Sequence, residues 1–146
     1  MGTFDDLQIG DTFTSPSRVI TPEDITTLVQ VGGYTHPLFT DPTFLAGTPF
    51  GSTPMPGEGA LHIMGGLVEQ TDRFDETTLA LTGLDAIRFY VPVVAGDDVH
   101  VEVEVLEKER KSTPVDLMKM RWTLRNERGN ACVVAEAVML FARRVG

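Results

Sequence analysis

The stretch PGEGALHIMGGLVEQ, residues 56–70, decides how the rest of the chain has to fold. Between Gly59 and Val68 its only polar side chain is His62. A helix that is apolar all round belongs in an interior, so the pattern predicts one buried helix from Gly57 to about Gln70. Each of Gly57, Gly59, Gly65 and Gly66 lowers helix propensity by up to ~1 kcal/mol relative to Ala. The expected compensation is close approach of a surrounding sheet to the helix backbone. Glu58 and His62 stand four apart, hence on one face, and are the only ionisable groups in the first two turns. Chemistry inside the protein is therefore expected near that end.

Downstream of this helix the periodicity changes. Thr71 to Thr77 reads as a polar turn, and Leu79 to Val91 as the first of four long strands. In VHVEVEVLE the valines 99, 101, 103 and 105 face one way, while His100, Glu102 and Glu104 face the other. Val115 to Arg125 and Ala131 to Arg143 follow, joined through Asn126 to Asn130 as a hairpin. Trp122 shares the alternating spacing of Met118, Met120 and Leu124, which makes it a core residue. Upstream, Gly10 to Ile20 holds a short alternating stretch. Thr21-Pro22-Glu23-Asp24 then has the form of an N-cap, a first-turn proline and two acids, opening a helix that runs to about Val31. Between Tyr34 and Met55 the prolines 37, 42, 49 and 54 interrupt any period, and a short helix is expected around Pro42 to Ala46.

Composition bounds the function. A chain of 146 residues suits one domain, 1–146, with a real core. A net charge of −9 and a pI near 4.7 argue against nucleic acid or an anionic membrane as partner. The single cysteine, Cys132, lies in an apolar run and reads as a buried structural thiol. No segment reaches the ~18 apolar residues of a membrane span. The N-terminal stretch lacks the basic and apolar regions of a signal peptide, so a cytoplasmic location is expected.

Strand, helix, loop, buried helix and four long antiparallel strands make an α+β chain. One arrangement satisfies both the buried helix and the half-polar strands: the hotdog fold, an antiparallel sheet of about five strands wrapped around a central helix. The residues themselves resemble the MaoC-like hotdog hydratases and dehydratases. GGYTHPLFTDPTFLAGTPFG, residues 32–51, resembles the family's D-x-N-P-(I/L)-H-x-D stretch with its following short helix and Phe-Gly. Pro56-Gly57 opens the helix where the family usually has His-Gly. IRFYVPVVAGDDVHVEVEV, residues 87–105, resembles R-F-x-x-P-V-x-x-G-D and the alternating strand behind it.

The resemblance implies addition or removal of water across the carbon–carbon double bond of an acyl thioester carried on coenzyme A or an acyl carrier protein, with no further cofactor and no metal. That chemistry needs an acid and a base at the alpha and beta carbons and a donor to the thioester oxygen. The family uses its motif Asp and His for the first and a backbone N–H at the helix start for the second. Here Tyr34 stands where the Asp belongs, His36 where the Asn belongs and Phe39 where the His belongs. Counted from Pro56-Gly57, His62 falls where related beta-hydroxyacyl-carrier-protein dehydratases carry a helix glutamate.

The candidate catalytic set is thus His36, His62, Glu58 and Tyr34, with Gly57, Phe39, Asp41 and Arg88 as substrate-binding candidates. Each has a structural alternative. His36 could hydrogen-bond its own loop, His62 could be a core histidine, and Glu58 could simply complement the helix dipole. Asp41 before Pro42 could be an N-cap. Arg88 pairs either with a carboxylate or with a phosphate at the pocket rim. A homodimer or a heterodimer with another hotdog subunit is expected, because a lone chain would leave long strand edges uncovered. Two further functions stay open: a non-catalytic hotdog subunit of a heterodimeric dehydratase, and a thioesterase using Glu58.

Overall fold

The computed structural model describes residues 4–110 and 114–143. Four long strands carry the fold: β3 (Thr78–Phe89), β4 (Asp98–Arg110), β5 (Val115–Arg125) and β6 (Ala131–Ala142). With the short β1 (Thr12–Thr14) they form an antiparallel sheet in the order β1-β4-β5-β6-β3, and β2 (Arg18–Val19) pairs with β4 outside that path. The two-residue β2 brings the count to six where about five were expected.

Period-two alternation sets the register. Val99, Val101, Val103 and Val105 on β4, Met118, Met120, Trp122 and Leu124 on β5, and Ala135, Ala137, Met139 and Phe141 on β6 are all buried on one face. Removing one Val, Leu or Phe side chain from water contributes about 1.5–3 kcal/mol, so this face, covered by a helix, is the main source of stability. The opposite face carries cross-strand ion pairs such as Arg121–Glu104 and Arg125–Glu102. His100 lies on that face, as its spacing predicts, with Glu102 3.7 Å away.

Helix α1 (Pro22–Gly32) starts as its sequence predicts. Thr21 and Asp24 form a reciprocal capping box, and Arg18 closes on the same Asp24 carboxylate at 2.8 Å. The proline-rich segment folds into two short helices, α2 (Pro37–Thr40) and the expected α3 (Pro42–Ala46). Helix α4 (Gly57–Glu69) is the predicted helix of residues 56–70 and lies on the core face of the sheet.

Burial around α4 differs from the all-round interior expected. Gly59, Ala60, Met64, Leu67 and Val68 are buried, whereas Glu58, His62, Gly66 and Glu69 are exposed. The reason is topological. Among the described residues β3 pairs only with β6, so the described sheet ends at β3 and does not close over the far side of the helix. Along that edge Leu79, Leu81 and Phe89 remain exposed. The glycines divide the same way. A Cβ on Gly57 would stand 3.0 Å from the Phe89 ring, and one on Gly59 would stand 3.1 Å from Leu28 and 3.4 Å from Met55. Side chains, rather than sheet backbone, make these close approaches. A Cβ on Gly65 or Gly66 would meet nothing within 4 Å.

Candidate active site

Two elements deliver the side chains that meet at the start of α4. Helix α1 ends at Gly33, whose left-handed φ of 71° turns the chain so that Tyr34 N–H donates to Val29 O at 3.1 Å. The Tyr34 ring then lies over Gly32, where an added Cβ would come within 2.8 Å of Cδ2. From there its hydroxyl reaches α4 and donates to Glu58 Oε2 at 2.7 Å.

This bond sets the charge state of both partners. Acceptance from the Tyr34 hydroxyl, helped by Glu58's own backbone N–H, holds the Glu58 carboxyl below its ordinary range. The same bond raises the Tyr34 phenol above 10.0, because ionisation would break it beside a carboxylate. At neutral pH the pair is one carboxylate base and one phenol carrying its proton. Pro56 at the N-cap supplies no side-chain hydrogen bond to the first turn of α4, so helix-start N–H groups there are left to other acceptors.

The remaining predicted residues separate. His36 is the N-cap of α2, where Nδ1 accepts from Leu38 N–H at 3.0 Å and the ring stands edge-on to Phe44. Asp41 is the N-cap of α3, accepting from Thr43 N–H at 2.9 Å. His62 is exposed on the open face of α4. Among the described residues no hydrogen bond or ion pair joins it to Glu58, and its exposure rules out the core-histidine alternative. Arg88 is exposed on β3 and donates to Ile87 O at 2.7 Å. It forms no ion pair among the described residues and lines neither of the cavities beside α4.

The first turn of α4 parts those two cavities. One, of about 250 Å³, is lined by Phe39, Phe50, Gly57, Phe89, Cys132 and their apolar neighbours. Phe39 also packs edge-to-face on the Tyr34 ring, with centroids 5.3 Å apart. The other, of about 730 Å³, runs the length of α4 beside β3, and its walls include Glu58, His62, Gly65, Leu81, Leu84 and Trp122. Gly57 thus faces the small cavity and Glu58 the long one.

The sequence reading did not name Phe50, Phe89 or Trp122 as cavity walls. Gly57 carries the signal for Phe89, since a glycine at a helix start marks close approach. Cys132 is buried as expected, and desolvation pushes its thiol up, which makes it unreactive. Among the described residues no three His, Cys, Asp or Glu side chains come together as for a metal, and no helix is long and apolar enough to cross a membrane.

No curated protein matches the sequence. Among solved structures, a monoamine oxidase regulatory protein from Archaeoglobus fulgidus is similar over 98% of this chain and 95% of its own, with a TM-score of 0.89 and 27% identity. An R-hydratase from Pseudomonas aeruginosa is similar over 97% of this chain and 86% of its own, with a TM-score of 0.76 and 25% identity. A 3R-hydroxyacyl-ACP dehydratase complex from Mycobacterium tuberculosis shares the fold at a TM-score of 0.75 and 15% identity, over 90% and 96% of the two chains. The profile described as "MaoC like domain" matches residues 6–122. A hotdog sheet, a helix opening on Pro56-Gly57 and a profile match spanning most of the sequence agree: this chain belongs to the MaoC-like domain family.

Proposed function

We propose that the protein hydrates enoyl thioesters, and dehydrates the corresponding hydroxyacyl thioesters, with Tyr34 and Glu58 as its acid–base pair. The observation that carries this reading is the 2.7 Å bond between two titratable groups of opposite role at the start of α4. In the hydration direction the Glu58 carboxylate takes a proton from water as its oxygen bonds to the beta carbon. The carbon–carbon π electrons move into the thioester as an enolate, the alpha carbon takes up the Tyr34 hydroxyl proton, and the proton that Glu58 took from water passes along the 2.7 Å bond to the Tyr34 phenolate, restoring both groups. Free N–H groups at the start of α4 stabilise the enolate oxygen. Dehydration is the same sequence reversed. The small apolar cavity beside Gly57 favours a thioester end without charge, and the long cavity holds the acyl chain.

A second copy, or a related hotdog subunit, pairs along β3. That strand is twelve residues long, has one side unpaired among the described residues and carries exposed Leu79 and Leu81, an edge that native sheets cover. The association closes the open side of the long cavity into a tunnel.

The test is hydration of short and medium enoyl-CoA by the purified protein and by Glu58→Gln. Loss of a positioned general base costs ~10²–10⁴-fold in rate, and that loss is expected with the unfolding midpoint nearly unchanged. A second reading has its own support: Phe39 fills the family's histidine position and His36 is used up as a cap. On that reading the chain is the tunnel-shaping subunit of a heterodimer. It predicts no turnover alone, no effect of Glu58→Gln on a reconstituted pair, and activity gained by Tyr34→Asp with Phe39→His.

A further inference from the structure

The two cavities beside α4 differ in chemistry as well as size. Arg18, Glu58, His62 and Glu69 stand on the walls of the long one, whereas no described Asp, Glu, Lys, Arg or His lines the small one. The backbone around the small cavity is already paired: Met55 N–H donates to Val93 O at 2.7 Å, and Tyr90 N–H donates to Cys132 O at 2.8 Å. None of the buried side-chain atoms left without a partner among the described residues belongs to its walls. These walls therefore call for a hydrocarbon, and a charge placed among them would be desolvated with nothing to pair it.

The rim of this cavity is aromatic and open to solvent. Phe50, Phe89 and Tyr90 line it and are 38%, 53% and 63% exposed. An entering group thus meets ring faces and edges on three sides. Volume bounds that group from above. An apolar cavity of about 150 Å³ already holds benzene, so about 250 Å³ takes a ring with its linking carbon and leaves no room for a long chain.

Its position ties it to the proposed acid–base pair. Gly57 on its wall is bonded to Glu58, which puts the two Cα atoms about 3.8 Å apart. Phe39, another wall residue, packs on the Tyr34 ring with centroids 5.3 Å apart. In the proposed reaction Glu58 serves the beta carbon and faces the long cavity, while Tyr34 serves the alpha carbon and borders the small one through Phe39. A substituent on the alpha carbon therefore leads toward the small cavity.

We infer that the small cavity takes a compact hydrocarbon group carried on the alpha carbon of the acyl thioester, up to the size of a phenyl ring. The inference rests on the acyl-thioester reading above and adds the alpha substituent to it. An unbranched acyl group would leave the cavity to water, against walls that offer water few hydrogen bonds. Phe39 is thereby a specificity-determining wall.

Saturated thioesters, which cannot be hydrated, separate binding from reaction. Acetyl-CoA, phenylacetyl-CoA and octanoyl-CoA are titrated calorimetrically into the parent and into three variants. Phenylacetyl-CoA is acetyl-CoA with a phenyl ring on its alpha carbon, and it is expected to bind the parent ~10–100-fold more tightly than acetyl-CoA, the worth of burying one such ring. Val91→Phe, and Leu38→Trp from the α2 side, put a ring into the small cavity. Each should remove most of that advantage and leave octanoyl-CoA within about twofold. Gly65→Leu fills space on the long cavity's wall where an added Cβ meets nothing, and should do the reverse. Unfolding midpoints of the variants are measured alongside, and the comparison within the parent needs no variant. Equal affinity of the parent for acetyl-CoA and phenylacetyl-CoA, as when a second subunit fills the cavity, would overturn the proposal. So would an advantage that survives Val91→Phe and Leu38→Trp but is lost in Gly65→Leu. In either case binding of octanoyl-CoA leaves the acyl-thioester reading standing. Failure of all three ligands to bind the parent would remove that reading together with this one.

Discussion

The two halves of α4 solve the same problem in opposite ways. In the first half, glycine is required by what surrounds it: Phe89 and Leu28 come so close that a Cβ would press on them, and Glu58 is held by Tyr34. In the second half, Gly65 and Gly66 carry the same propensity cost and no described residue comes within 4 Å of the Cβ that either would add. A helix interior spends stability on glycine only where something else gains. The first half is fixed by its own chain, and on the proposed function it holds the acid–base pair. The second is left open for a ligand or a second subunit.

Among the glycine variants the largest expected effect comes from a residue that lines neither cavity. A Cβ at Gly32 would overlap the Tyr34 ring, so Gly32→Ala should push the hydroxyl off Glu58 while the helix itself gains propensity. A misplacement of about 1 Å can cost ~100-fold in turnover, and that loss is expected without a fall in the urea midpoint. Unchanged turnover would show that Tyr34 need not lie where it does.

Stability separates the halves next. Gly59→Ala overpacks against Leu28 and Met55, at about 1–3 kcal/mol offset by up to about 1 kcal/mol of propensity. Gly65→Ala meets nothing and should raise the stability of the chain by up to about 1 kcal/mol. Urea unfolding of the two variants at matched concentration measures the difference. Equal responses would erase the distinction between the halves.

The smallest effect is on pH dependence. The folded pKa of Glu58 is lowered from its ordinary 4.5, so the stabilisation it contributes is present above that value and is lost as pH falls through the folded pKa. Tyr34→Phe removes the leading cause of the lowering. The acidic limb of any Glu58-dependent signal, whether chemical shift or rate, should therefore move to higher pH in that variant. A limb that stays put would mean that the phenol does not hold the carboxylate.

Much of this architecture was legible beforehand for physical reasons. The alternation of Val99 to Val105 and of Met118 to Leu124 leaves only one face for a core, and Thr21-Pro22-Glu23-Asp24 can hardly be anything but a helix start. The open side of α4 was not legible, because residues 59–68 look equally apolar whether they meet a sheet, a cavity or another chain. Glu58 and Tyr34 were both visible as candidates, yet their bond was not. It depends on how far the left-handed turn at Gly33 swings the ring, a tertiary outcome with no local signature. His36 and Asp41 resolved toward their capping alternatives because proline follows each, and a residue before a first-turn proline is well placed to cap.

The central claim, that the Tyr34–Glu58 pair is an acid–base centre, is tested most directly by the hydration rate of a short enoyl-CoA at neutral pH with the parent and with Tyr34→Phe. The variant keeps the ring and its packing on Phe39 and removes only the hydroxyl. The account predicts a rate lower by ~10²-fold or more at an unchanged unfolding midpoint. A parent that turns over the substrate and a Tyr34→Phe variant that matches it would contradict the claim.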